Sequence, residues 1–341
     1  MTLAVGTTPR RLFRDGEDAL ANTFVLLVTS IGWLGSFALM AANSLPLNLL
    51  GMVLCAHAMV LAAYLVHEAA HQTLFAIRRV NQWAGEAMSF VAGSPYASFE
   101  RIRHMHIRHH LDRADLICFN FKRLLQRRPT VWRALQILEW AYIPATESLM
   151  HMQVVWRPFF VRSQRRYLPR AAAMLAVRIV LLVWLWTVAP KAVLLYVLAL
   201  VVQLHVLNFF DAFHHTFEQH VVMPDQPVSM EGRDRAYEQH NTYSNLVSQR
   251  HPWLNALVVN FGYHNAHHHQ PSVPWWRLPA LHRKIYGNEA QAVMPLRQLL
   301  STWHRNRVQR VFAADYGTPQ GNVQCADNFV GTHAVSFLTV I

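Results

Sequence analysis

Two stretches near the start of the chain, residues 22–42 and 46–66, carry no charge over 21 residues each. As helices rising about 1.5 Å per residue, each is long enough to cross a hydrocarbon layer of about 30 Å. Ser44 and Pro46 between them read as a helix start. Two more apolar stretches, about 171–189 and 193–213, meet at Pro190 and Lys191. The pattern predicts an all-α chain with four transmembrane helices in two hairpins. Residues 131–160 are also apolar, but Arg133, Glu139, Pro144, Glu147, His151 and Arg157 interrupt them. They read as an interfacial stretch, with Trp132, Trp140 and Trp156 near the headgroups. From about residue 218 the chain reads as a cap outside the membrane, with an amphipathic helix near 295–312. Its last 14 residues are too short to span.

Composition agrees with a multi-pass integral membrane protein: 53% of residues are hydrophobic and only 15% charged, against roughly 25% charged in a soluble domain. The formal charge of +12 is unevenly placed. Sixteen Lys and Arg lie between His67 and Arg170 and none in the turn between the first two spans. That asymmetry puts the turn outside and residues 67–170 and 214–341 in a single helical cap on the cytoplasmic face, in a bacterial inner membrane. Basic and aromatic residues do not interleave along one face, so the charge suits an anionic membrane surface and not nucleic acid. The mixed charges of residues 10–18, without a short apolar core and cleavage site, read as no cleaved signal peptide. Cys55, Cys118 and Cys325 form no C-x-x-C pair and imply neither a disulfide frame nor a thiolate site.

Histidine is the unusual residue, at 21 copies. His264, His267 and His268 stand at i, i+3, i+4, a spacing that puts three imidazoles on one helix face. His106, His109 and His110 repeat it, and His67 with His71 gives a two-histidine version. All three blocks fall on the same predicted side of the membrane; one more crossing would separate them. Eight imidazoles exceed what one ion uses, so two ions are expected, of a metal suited to imidazole such as iron, zinc or copper. H-E-A-A-H also matches the zinc-protease pattern with Glu68 as base, but a protease would leave both H-x-x-H-H blocks without work.

The blocks H-E-A-A-H, H-I-R-H-H-L-D-R-A-D and H-N-A-H-H, with spans between, resemble the membrane fatty acid desaturase and hydroxylase superfamily over roughly residues 48–286. The resemblance implies two non-haem iron ions held by His67, His71, His106, His109, His110, His264, His267 and His268. It implies O2 as co-substrate and removal of hydrogen from an unactivated C–H bond in a lipid chain, most simply fatty acyl desaturation. Hydroxylases and ketolases of alkyl or carotenoid chains share the blocks. A further ligand is expected after the fourth span, where His214 and His215 are adjacent. Asn208, Asp211 and His215 share a helix face and His214 lies about 120° from it, which favours His215. Glu68, Asp112, Asp115 and Asp211 are placed to accept from ligating imidazoles. His104 and His269 read as neighbours. The polar and aromatic residues 237–245 are expected near the third block, without an assigned role. No flavin or nicotinamide glycine pattern and no H-P-G-G haem pattern occurs, only His251-Pro252-Trp253, so electrons are expected from a ferredoxin-like or cytochrome b5-like partner.

His57 and His205 each stand ten residues before a metal-end histidine, about 15 Å away along a straight helix. Either they line a substrate tunnel together with Arg178, or they bond each other or a backbone carbonyl and hold the spans together.

Overall fold

The computed structural model describes residues 11–217, 221–222, 230–287, 293–313, 317, 326, 328–333 and 336–340. The chain is mostly helical. In order it forms α1 Gly16–Ala41, α2 Leu45–Ala70, α3 Arg78–Val91, α4 Phe99–Asp112, α5 Phe121–Gln126, α6 Pro129–Trp140, α7 Ala145–Phe160, α8 Leu168–Val188, α9 Pro190–Ala212, α10 Arg235–His240, α11 His264–His269, α12 Leu278–Tyr286, α13 Leu296–Arg305 and α14 Gln309–Phe312. Two-residue strands β1 Leu116–Ile117 and β2 Val221–Val222 pair in parallel. The expected helix over 295–312 is divided into α13 and α14, because the chain leaves helical geometry after Arg305. Cys325 lies outside the described residues.

Four helices are long and apolar enough to cross a membrane: Gly16–Ala41, Leu45–Ala70, Arg162–Val188 and Pro190–Ala212. Each expected span is present, and its observed helix begins before the uncharged stretch. α1 starts six residues early because Asp15 caps it, its side chain accepting from Asp18 N. α2 runs on through H-E-A-A, because a helix ends where its hydrogen bonds end and not where its charges begin.

α2 is the centre of the molecule. It is buried almost continuously from Cys55 to Ala70, with α1, α3, α4 and α9 packed around it. α8 is its opposite: Val180, Val183, Trp184 and Trp186 leave large apolar surfaces outside, as lipid contact requires. Polar side chains complete helix ends that water would otherwise serve. Asn48 Nδ2 donates to the carbonyls of Leu39, Met40 and Ala42 at 2.9, 3.0 and 2.8 Å, closing the end of α1. At the end of α3, Arg178 donates to Phe90 O at 3.1 Å and Gln203 to Ala92 O at 2.9 Å.

α6 and α7 replace the single interfacial stretch expected over 131–160. The chain turns between them through Tyr142, at φ +59°, and Pro144. The segment after α14 is irregular where described, with turns closed by Phe329 N to Ala326 O at 2.9 Å and Thr339 N to Ser336 O at 3.1 Å. Thr332 N donates to Ala212 O at 2.8 Å, and Ser94 Oγ to Leu338 O at 3.1 Å. Gly331 is required there: its φ is +84°, and a Cβ would fall 2.7 Å from Ala212 O.

The two deep histidines do not meet. His57 Nε2 donates to Leu257 O at 2.8 Å and His205 Nε2 to Tyr142 O at 2.7 Å, so each ties a span to a different outer segment. This is the carbonyl-bonded alternative, and neither imidazole lines the cavity beside the histidine blocks.

Candidate metal centre

The end of α2, all of α4 and all of α11 point at one another. α4 places His106 and His110 on one side of a shallow angle and His109 on the other; α11 divides His267 from His264 and His268 in the same way. His67 and His71 come from the end of α2, and His215 from just beyond α9. The result is two adjoining all-histidine groups, His67, His71, His106, His110 and His267, and His109, His215, His264 and His268, with a smaller group of His110, Glu238 and His268 bridging them. Within each, one ligand atom per residue lies within 4.8 Å of all the others.

The contacts are tighter than that limit. Nε2 of His106 lies 2.6 Å from Nε2 of His71 and 3.2 Å from that of His110, which is 3.2 Å from Nε2 of His267. In the second group Nε2 of His215 lies 2.8 Å from His264 and 3.2 Å from His109. One imidazole nitrogen carries either a proton or a lone pair, so His106 Nε2 and His215 Nε2 cannot satisfy two such neighbours as hydrogen bonds. Ligands about 2.1 Å from one ion and at right angles stand about 3 Å apart, which these separations match. His67 Nε2 and His268 Nε2 are buried without a hydrogen-bond partner, as expected of atoms that face an ion. The donor set therefore fits two imidazole-ligated ions.

The electrostatics suit the same role. Burial, and then the charges of neighbouring imidazoles, holds His71, His106, His110, His215, His264 and His267 well below the usual imidazole range. His109 is held down at about 3, again mainly by burial. At neutral pH these rings are uncharged and present lone pairs.

The opposite ring nitrogens of His67, His109, His215 and His268 are held in turn, whereas those of His110, His264 and His267 are buried without a hydrogen-bond partner. Nδ1 of His67 lies 3.3 Å from Glu68 Oε1, while Glu68 Oε2 accepts from Thr73 Oγ1 at 2.6 Å and Trp275 N at 3.1 Å. With both oxygens engaged, Glu68 is placed to orient His67. His109 Nδ1 donates to Ala114 O at 2.8 Å, with Asp115 Oδ1 more distant at 3.9 Å. His215 Nδ1 donates to Thr242 Oγ1 at 3.3 Å, and that hydroxyl donates to Glu238 O at 2.6 Å. Such contacts fix ring orientation and tautomer.

Glu238 is the residue that sequence reasoning did not single out. Its Oε1 accepts from His268 Nδ1 at 3.0 Å and its Oε2 from Arg113 Nε at 3.0 Å. The only signal was its place in the polar stretch 237–245. Of the four carboxyl residues expected beside the histidines, Glu68 bonds one, and Asp115 and Asp211 line a cavity next to them. Asp112 is paired with Arg108 at 2.5 Å on its own helix and bonds no histidine among the described residues. His214 stays outside both groups: it stacks on His264, ring centres 3.9 Å apart, and its Nε2 donates to Asn245 Oδ1 at 2.5 Å. His104 and His269 are exposed.

The cavity has a volume of about 50 Å³, and His106, His109, His214, His215 and His264 form its polar wall. Met105, Leu116, Phe261 and Phe337 form the apolar wall. Phe337 also faces His67 and His106, its ring centre 6.1 and 5.7 Å from theirs. Asp115 and Asp211 complete the polar side, and no Lys or Arg is in the lining.

Four helices apolar enough to cross a membrane, with nine histidines gathered at the end of one of them so that they could hold metal, are the class of architecture the structure defines. The family model described as fatty acid desaturase matches residues 43–299, and the chain belongs to that family. Over 62 residues it is also 37% identical to a β-carotene ketolase from a Paracoccus species, a match covering 18% of this chain and 24% of that relative.

Proposed function

We propose that this protein is an O2-dependent, two-iron membrane enzyme that oxidises an unactivated C–H bond in a lipid chain, and that its reaction is desaturation of a fatty acyl chain. The observation that carries the reading is the convergence of nine imidazoles as two adjoining groups against a cavity with one apolar wall. His67, His71, His106, His110 and His267 would hold one ion, and His109, His215, His264 and His268 the other. Bound iron supplies activation of O2 and the oxidising power that no side chain has.

The protein's share is position and exclusion. Met105, Leu116, Phe261 and Phe337 hold a hydrocarbon segment against the ligand shell, where orientation fixes which hydrogen reacts. Glu68, Thr242, Glu238 and the Ala114 carbonyl keep the imidazoles they bond in their metal-binding tautomers. The spans form two hairpins with the centre on the cytoplasmic side under a helical cap, where a ferredoxin-like or cytochrome b5-like donor delivers two electrons per turnover. The short match to the ketolase favours a second reading, hydroxylation or ketolation of a terpenoid chain.

The test is elemental analysis together with lipid mass spectrometry. About two iron ions per chain are expected, with His109→Ala and His267→Ala depleted of iron and inactive. Extracts from producing cells should contain lipids lacking two hydrogens; lipids that gain an oxygen instead would select the second reading. Full activity in His267→Ala would remove the third block from the centre.

A further inference from the structure

The metal centre leaves a series of acidic side chains without work. Glu139 ends α6 and Glu147 opens α7, on the two sides of the turn through Tyr142. Glu139 Oε1 accepts from Thr146 N at 2.8 Å, so both glutamates belong to one junction. Glu147 is 3% exposed and its Oε2 has no hydrogen-bond partner. Its Oε1 stands 3.6 Å from His151 Nε2, a ring that burial holds down at about 4 and therefore neutral. Among the described residues no Lys or Arg comes within ion-pair distance of either glutamate, but Arg310, which with Arg307 lines the small cavity beside Glu139, is near enough to act on its charge. Burial, reinforced by Glu139, pushes the Glu147 carboxyl up to about 8.

One small cavity touches this junction at Glu139 and Tyr142, and a second lies beyond it at the histidines. The first, of about 10 Å³, is lined by Glu139, Tyr142, His205, Asn208 and His333 among others, and has room for roughly one water. The other is the cavity beside the histidines, into which Asp211 faces. Asn208 and Asp211 are one turn apart, so a single face of α9 touches both. Asp211 is within electrostatic reach of Glu147. At the outer rim Tyr142, 41% exposed, shares a hydrogen bond with exposed His304.

Glu139 serves the start of α7 through Thr146 N, but a purely structural role explains Glu147 poorly. A buried carboxyl retained for stability is paired, whereas an unpaired one costs free energy that an apolar side chain of the same volume would recover. Strings of acidic groups inside membrane proteins serve proton transfer.

We propose that Glu139, Glu147 and Asp211 form a proton path from the rim at Tyr142 and His304 to the cavity beside the histidines. The proposal rests on the oxidase reading above. In desaturation, O2, two electrons from the external donor, two protons and the two hydrogens of the substrate become two waters and a double bond. In hydroxylation the same two electrons and two protons reduce one oxygen atom to water and the other enters the substrate. Either way two protons must reach a site walled by imidazoles and apolar side chains. Asp211 releases each proton to the cavity and is recharged by Glu147, which is recharged in turn through water held by Glu139.

The experiment uses the full-length, iron-loaded protein carrying Glu147→Gln. Iron content should be unchanged, and a carboxylic C=O infrared band present in wild type at neutral pH should be absent. Turnover should fall at least about tenfold, in line with the size of positioned proton transfer, with a larger solvent deuterium effect. Glu147→Asp should restore part of the rate. If Glu147→Gln fails to fold, Glu139→Gln is measured for the same rate loss and solvent effect. A Gln variant with wild-type rate and unchanged solvent effect overturns the path, as does a wild type without the infrared band. A wild type that forms no O2-dependent product overturns the functional reading itself and the path with it.

Discussion

Glu238 shows how much one side chain outside the ligand set can carry. It holds His268 through one oxygen and Arg113 through the other, and its own backbone carbonyl accepts from the hydroxyl that orients His215. Glu238→Gln keeps the shape but weakens the pull on the imidazole N–H. Partners of this kind are typically worth about 10- to 100-fold in metal affinity. Chelator competition should show that loss in Glu238→Gln, with no change in helix content; unchanged affinity would make Glu238 a structural contact with Arg113. Glu147 gives a different kind of prediction. Its folded carboxyl, at about 8, lies above its ordinary value of 4.5, so folding stabilises the protonated form. That contribution is complete below pH 4.5 and is lost as pH rises toward 8. Thermal unfolding in detergent between those limits should therefore fall more steeply for wild type than for Glu147→Gln. Parallel curves would mean that Glu147 ionises as freely in the folded protein as in the unfolded one.

Among the elements, α1 and α2 approach backbone to backbone at Gly51. A Cβ on Gly51 would fall 2.8 Å from Met40 N and 2.9 Å from Ser36 O, both main-chain atoms that cannot step aside. Small residues permit such contact between apolar helices, where close packing replaces the hydrophobic drive. Gly51→Ala should cost about 1–3 kcal/mol, read as a lower unfolding temperature with iron content preserved at low temperature. An unchanged midpoint would mean that the helices separate freely. The sequence disclosed these helices and the blocks at their ends because both are local patterns: uncharged length marks a span, and i, i+3, i+4 spacing puts imidazoles on one face. It did not disclose what those imidazoles lean on. Glu238, Thr242 and the Ala114 carbonyl reach the rings only through tertiary folding, and an irregular stretch such as 336–340 has no period to betray that Phe337 faces His67. The split of α6 from α7 was hidden for a related reason, since the turn depends on Tyr142 adopting positive φ, which its side chain does not advertise.

At the scale of the whole molecule, the charge pattern makes a claim about sidedness. Single cysteines placed at Asn43 and Lys191 should react with an impermeant reagent from outside the cell, and cysteines at Arg127 and Gly287 only after the membrane is opened. Labelling of Arg127 and Gly287 from opposite sides would overturn the arrangement of the spans.

The sharing of α4 and α11 between the two histidine groups has a consequence for how the centre fills. Each of these short helices sends ligands both ways: His106 and His110 against His109, and His267 against His264 and His268. An ion that enters either group must therefore fix both helices, and in doing so it orders most of the other group before a second ion arrives. The ordering cost is met once and the second binding step escapes it. If the two groups hold the two ions proposed above, they should fill cooperatively: a metal titration should pass almost directly from empty to doubly occupied chains, and a large half-filled population would overturn that coupling.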